Sequence, residues 1–143
     1  MHDLNTLAVA EYVVSNRPNK TINKFMLNTI LYFIQVESIR KTGDTILGAV
    51  FTRPRKNDYP HCAIIEGIFT QGTTCDEDII EFREPIPDEA REIIDAVMNR
   101  FLRITLREAA QIVSRDPAWD HTVPGKMITK SRLKKSAGRR DGD

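Results

Sequence analysis

Glycine is scarce in this chain, seven among 143 residues, and none of the seven falls into a phosphate-binding pattern. No G-x-x-x-x-G-K-[ST], G-x-G-x-x-G or G-x-S-x-G occurs, so nucleotide-cradling loops and the nucleophile elbow of hydrolases have no support. Cysteine is scarcer still, with Cys62 and Cys75 the only two. Zinc sites need paired ligands, and adjacent His61-Cys62 with a lone Cys75 and a distant His121 lack that spacing. A thiol nucleophile fares no better, because Asp76, Glu77 and Asp78 crowd Cys75 and repel a thiolate. No catalytic residue, metal or cofactor is expected. The chain also lacks an apolar run of membrane-spanning length and, at its N-terminus, the pattern of a secretory signal. Together with two cysteines expected to stay reduced, this points to the cytoplasm and to no membrane partner.

What is present is ordinary in bulk: 41% hydrophobic and 29% charged residues, enough for one domain with its own core. The net charge of +1 conceals an asymmetry. Residues 1–125 carry 14 Lys and Arg against 18 Asp and Glu, whereas residues 126–143 carry 7 against 2, or −4 followed by +5. Residues 1–125 are therefore read as a single domain and 126–143 as a basic, partly disordered tail, too poor in large apolar groups beyond Leu133 to order itself.

The pattern predicts a mainly α fold, a compact helical domain around a central apolar helix with a small antiparallel β element. The central helix is read over 21–43. Phe25, Met26, Ile30, Leu31, Tyr32, Phe33 and Ile34 leave it little polar surface, with Thr21 or Asn23 at its start and Gly43 at its end. Asp3 is expected to cap a preceding helix to about Ser15, and Arg17-Pro18-Asn19 to break it. Residues 44–52 read as a short strand, 71–74 as a loop and 79–82 as a brief edge strand. Residues 61–69 stay open, either a strand or a helix with Ile64, Ile65, Ile68 and Phe69 on one face. An acidic-start helix follows, with Ile93, Ile94, Val97 and Phe101 inward. Thr105-Leu106-Arg107-Glu108 has the spacing of a capping box and opens the next helix, which stops before Asp116-Pro117.

Several residues stand out as contact candidates. Arg53, Arg55 and Tyr59 lie in a basic loop, where arginine and aromatic side chains can anchor a partner. Trp119, the only tryptophan, sits beside Asp116 in a proline-bounded loop, either as a lid over the core or as an exposed anchor.

The stretch Thr21-Ile22-Asn23-Lys24-Phe25-Met26-Leu27-Asn28-Thr29-Ile30-Leu31-Tyr32-Phe33-Ile34-Gln35 resembles the N-terminal signature of the Panacea antitoxin domain, I-T-N-x-K-L-x-K-L-L-Y-x-x-Q. Asn23, Leu31, Tyr32 and Gln35 match it. Asp116 and Trp119 are similar in type and spacing to the end of that family's T-H-x-E-x-P-W motif, while Val113, Ser114 and Ala118 depart from it. The resemblance implies a non-enzymatic domain that binds a protein partner, typically a toxin, and neutralises it directly or as an adaptor to a protease. Two alternatives stand beside it. One is a DNA-binding regulator using the helix Thr105 to Val113 and the basic tail, and the other is a small metal- or thiol-dependent enzyme. The prolines and acidic residues after Val113 make a poor recognition helix, leaving the tail as the phosphate contact.

Overall fold

A computed structural model describes residues 3–139 of the chain. Seven α-helices and two small antiparallel sheets supply the regular structure among the described residues, a mainly α fold as the sequence predicts. None of these helices is long and apolar enough to cross a membrane.

The helix α2, Lys24–Thr42, buries thirteen of its residues between Met26 and Ile39. A helix apolar on nearly every side has to be covered on nearly every side, and α2 touches α1 (Thr6–Ser15), α4 (Asp88–Phe101), α5 (Leu106–Ser114) and α7 (Lys130–Ser136). Of the two candidate caps it uses Asn23, whose side-chain oxygen accepts from Phe25 N–H at 2.8 Å. Its far end closes at Gly43, with φ of 81°, the left-handed conformation for which glycine carries no Cβ penalty. Arg139 reaches back to the same end, donating from Nε and Nη2 to the Arg40 carbonyl at 3.3 and 3.0 Å. A cation there faces the negative pole of the helix dipole.

The core prediction is accurate except at one residue. Met26, Ile30, Leu31, Tyr32, Phe33, Ile34, Ile93, Ile94, Val97 and Phe101 are all buried. Phe25 is only half-buried, because it stacks on Tyr59 at 5.2 Å between ring centroids rather than turning inward.

The helix α1 starts later than its expected cap. Asn5 accepts from Leu7 N–H at 2.9 Å, while Asp3 accepts from Thr45 Oγ1 at 3.0 Å. The reason is that Leu4 is drawn into a parallel bridge with Leu47, its N–H bonded to Ile46 O at 2.7 Å, which keeps the chain extended until Asn5.

The expected strand over 44–52 shrinks to β2, Phe51–Thr52. The polar groups around Ile46 and Leu47 are claimed by the buried Gln35 side chain. Its Oε1 accepts from both N–H groups at 3.0 and 2.9 Å, and its Nε2 donates to Leu47 O at 2.8 Å. Backbone bonds spent on a side chain are not available to a ladder. The strand β2 sits between β3 (His61–Cys62) and β5 (Met127–Ile128), all antiparallel. One row of this sheet, Cys62, Phe51 and Ile128, is buried, and the other, His61, Thr52 and Met127, faces out.

Both readings of 61–69 are in part realised, for β3 runs straight into α3, Ala63–Ile68. The second sheet pairs β1 (Ile22–Asn23) with β4 (Thr74–Cys75), so the predicted loop at 71–74 ends in a strand. The predicted edge strand at 79–82 is instead part of a 3-10 helix, Glu77–Phe82. Asp76 turns the chain by accepting from Asp78 N–H at 3.0 Å, and only Ile79 of the pair Ile79-Ile80 points inward.

The helix α5 opens on the predicted capping box, with Thr105 and Glu108 satisfying each other's backbone N–H groups. After it, Asp116 caps the short α6, Pro117–Asp120, where the sequence suggested only loop.

Residues 126–139 are not a disordered tail, and the domain does not end at 125. The strand β5 pairs with β2, α7 packs on α2 and α6, and Ile128, Leu133 and Ala137 are buried. Alternating Ile128, Leu133 and Ala137 with basic residues orders a segment whose average composition looks too polar to fold. Residues 140–143, the rest of that expected tail, lie outside the described residues.

Candidate partner-binding surface

The five contact candidates read from the sequence come together at one corner of the molecule, where β2, α5 and α6 meet. Four of them are spent on building it. Asp116 is buried, and its Oδ2 accepts from Tyr32 Oη at 2.5 Å, Ser136 Oγ at 2.9 Å and Trp119 N–H at 3.2 Å. One carboxylate oxygen thereby joins α2, α6 and α7. Trp119 is 5% exposed, so it is the lid rather than the exposed anchor. Arg53 holds that lid. Its Nη1 donates to the carbonyls of Trp119 and Thr122, both at 3.0 Å, and its guanidinium carbon lies 4.9 Å from the Trp119 ring centroid. Tyr59 is half-buried and donates to Leu106 O at 2.8 Å. Only Arg55 remains exposed. Its side chain lies across Gly125, where an added Cβ would come within 2.8 Å of Arg55 Nε.

Two shallow hollows of about 310 and 300 Å³ flank Trp119. Asp58, Ser114 and Trp119 line both, with Arg55 and Lys56 on one side and Arg107 on the other. The rim of the corner mixes these cations with the carboxylates of Asp58 and Asp120.

Beside this corner the loop 53–60 leads through β3 into α3, and a chain of polar contacts fixes their relation. Asn57 Nδ2 lies 3.1 Å from His61 Nε2, His61 Nε2 lies 3.6 Å from Glu66 Oε1, and Lys24 Nζ lies 3.3 Å from Glu66 Oε2. Lys24 also donates to Phe69 O at 3.1 Å, tying the end of α3 to the start of α2. The helix so held does not put its isoleucines on one face. Ile65 is buried, whereas Ile64 and Ile68 are 41% and 43% exposed. Ala63 and Gly67 are exposed between them. The outer side of α3 is therefore an uncharged strip of Ala63, Ile64, Gly67 and Ile68, which periodicity alone would assign to a core.

The residues considered for metal or thiol chemistry are dispersed among other duties. No group of three or more His, Cys, Asp or Glu side chains able to hold a metal is gathered among the described residues. His121 closes α6, its Nδ1 2.8 Å from Pro117 O. Both cysteines are buried as free thiols. Burial pushes the Cys62 thiol up, and it pushes Cys75 up to about 12 despite the nearby Lys24 ammonium, so neither forms a ready thiolate at neutral pH.

The tyrosines are shifted in the same direction. Burial and the Asp95 carboxylate push Tyr12 up to about 12, burial and Asp116 push Tyr32 well above its ordinary value, and burial and Asp58 raise Tyr59. In all five groups the folded state holds a proton that the unfolded chain releases first, so stability is intact below about pH 8 and falls as pH rises past the unfolded values, the cysteines' first and the tyrosines' next. For the fully buried Tyr32, Cys62 and Cys75 each retained proton costs about 1.4 kcal/mol per pH unit. Urea midpoints measured from pH 6 to 11 should be flat to about pH 8, begin to fall as the cysteines' unfolded value is passed, and drop most steeply above about pH 10, where the tyrosines join. A flat profile to pH 11 would contradict these burial assignments.

The corner also bears on DNA binding. The helix α5 is followed after Arg115 and Asp116 by the four-residue α6, whose Ala118 and Trp119 are buried. The second helix of a helix-turn-helix must project into the major groove, and α6 is a single turn whose exposed residues are Pro117 and Asp120, a proline and a carboxylate.

Comparison with protein-family models, curated proteins and solved structures finds no match for this chain.

Proposed function

We propose that the chain is a protein-binding domain of the antitoxin kind, which neutralises a partner toxin by covering its active surface, and that the exposed side of α3 is where it makes contact. The observation that carries this reading is the uncharged strip of Ala63, Ile64, Gly67 and Ile68, a helix face left open beside a basic loop and anchored by the Glu66–Lys24 pair. Contiguous apolar surface of this sort, rimmed by polar residues, marks protein contact sites. The resemblance to the Panacea antitoxin domain supplies the class of partner. The marks that carry it, Asn23, Tyr32, Gln35, Asp116 and Trp119, all act inside the fold here, so contact would fall to residues the signature does not include.

Expressing the neighbouring open reading frame alone and together with this chain tests the proposal. That product should arrest growth alone, be tolerated with this chain, and co-purify with it in a defined ratio. A harmless neighbour and no recoverable complex would defeat the reading. A chain that instead retards DNA without any protein partner would transfer the function to the cations of α7, Lys130, Arg132, Lys134 and Lys135.

A further inference from the structure

We propose that the hollow between α1 and residues 83–91 is a binding site for a primary ammonium group carried on an apolar body, with Glu11 as its anchor. It shares no residue with the α3 strip, so either assignment can fail alone.

The hollow measures about 540 Å³, within the range of small-ligand pockets. Tyr12, Pro85 and Ile86 give it apolar walls, and Glu11 lies in its lining. A carboxylate only 4% exposed has to be compensated, and Glu11 is compensated on one side. Its Oε1 accepts from Ser15 Oγ and from Arg83 Nε, both at 2.8 Å, with Arg83 Nη2 at the same distance. Its Oε2 accepts from nothing among the described residues and, unlike the unpaired amide atoms of Asn28, is not sealed from solvent. A carboxylate oxygen has room for two donors, so this buried anion keeps acceptor capacity for a ligand in the cavity.

The other unspent groups of the wall are acceptors too. Asn16 uses its Nδ2 on the Tyr12 carbonyl at 2.8 Å and keeps its Oδ1. Glu84 is exposed, and its bond from Asn5 Nδ2 is long at 3.4 Å. The two cations of the lining are already claimed, Arg83 by Glu11 and Arg91 by Asp88. Tyr12 Oη donates to Asp95 at 2.7 Å and is spent as well. With Asp88 and Asp95 counted, the carboxylates around the hollow outnumber its guanidinium groups, and the field favours a cation.

A metal ion is not the match, because no three His, Cys, Asp or Glu side chains among the described residues gather to ligate one. A guanidinium is not the best match either. Its planar fork pairs with both oxygens of one carboxylate, and Arg83 already occupies one of those of Glu11. An ammonium brings three donors for Glu11 Oε2, Asn16 Oδ1 and the Glu84 carboxylate, while its carbon body covers Tyr12 and Ile86.

The test titrates the full chain by calorimetry with phenethylamine, with 2-phenylethanol as its neutral counterpart and with phenylacetate as its anionic one, while the backbone amide resonances of Tyr12 and Asn16 locate the site. At pH 7 the amine should bind at least about tenfold more tightly than the other two and move both resonances. Acetyl-Ala-Lys-Ala amide separates the two sources of such a group. Binding tighter than that of phenethylamine identifies a lysine side chain of a protein, and weaker binding a free amine. Glu11→Gln should lose about tenfold of the amine affinity, and Glu84→Gln, a change at an exposed position, about threefold. Arg83→Gln should instead gain affinity, since it returns the contested Oε1 to the ligand, an effect that a purely structural Glu11–Arg83 pair would not produce. Alcohol binding as tightly as the amine, resonances that do not move, or an Arg83→Gln variant that melts cooperatively yet binds the amine no better would overturn the site.

Discussion

Asp116→Ala should destabilise the fold by about 3–5 kcal/mol, the range for removing one partner of a buried charged network. Three donors from three helices converge on its Oδ2: Tyr32 Oη, Ser136 Oγ and Trp119 N–H. Alanine removes the cap of α6, worth about 1 kcal/mol, and leaves the fully buried Tyr32 hydroxyl without its acceptor. It also frees Ser136, which accepts from Ala118 N–H at 2.9 Å and so steadies α6 against α7. Tyr32→Phe removes a donor and its need together, and should cost only about 1 kcal/mol. In the double variant the second change should add almost nothing, because the two act through one bond. Thermal and urea unfolding of the four proteins reads all of this. A loss under about 1 kcal/mol for Asp116→Ala would mean that the carboxylate does not hold the corner together.

Ending the chain at Gly125 should abolish cooperative folding. The cut removes Ile128, Leu133 and Ala137 from the core, and with the first two some 1.5–3 kcal/mol of burial each. It strips β2 of its β5 partner, Asp116 of the Ser136 hydroxyl, and the end of α2 of the Arg139 guanidinium. It also uncovers part of α2 and α6, both of which pack on α7. Since a domain of this size is stable by only about 5–15 kcal/mol, these losses take most of the margin. Circular dichroism should show reduced helicity with no sharp thermal transition. A truncated chain that melts cooperatively within a few degrees of the full one would restore the view that residues 126–143 are an appendage.

That second result also marks where the sequence was readable. Long-range consequences of strong local patterns came through: the apolar run of α2, its Asn23 and Gly43 ends, the stripe of α4 and the Thr105–Glu108 box are each set by neighbours within a turn or two. The basic end of the chain misled because three small contributions, Ile128, Leu133 and Ala137, are diluted by lysine and arginine in any average. The strand over 44–52 failed for another reason. Its backbone partners sit on Gln35 and Leu4, and nothing in the strand itself announces a side chain waiting to take them.

The candidate site shows the same division. Arg53, Asp116 and Trp119 carry conspicuous chemistry, and the fold uses that chemistry to bond to itself. The exposed side of α3 was hidden because Ile64 and Ile68 look like core residues, and burial is decided by which way a short helix is pinned. That pinning runs through Lys24 and Glu66, 42 positions apart, which no periodicity connects.

The most direct measurement of the account is the affinity of the neighbouring gene product for this chain and for its Ile64→Asp, Ile68→Asp variant, with circular dichroism showing both to be folded. Because both side chains are already exposed, the fold should tolerate the change, while a contact centred on α3 should weaken by about 30-fold or more, the loss expected when an apolar anchor becomes a buried charge. Equal affinity for the folded variant would place the contact elsewhere and contradict the central claim.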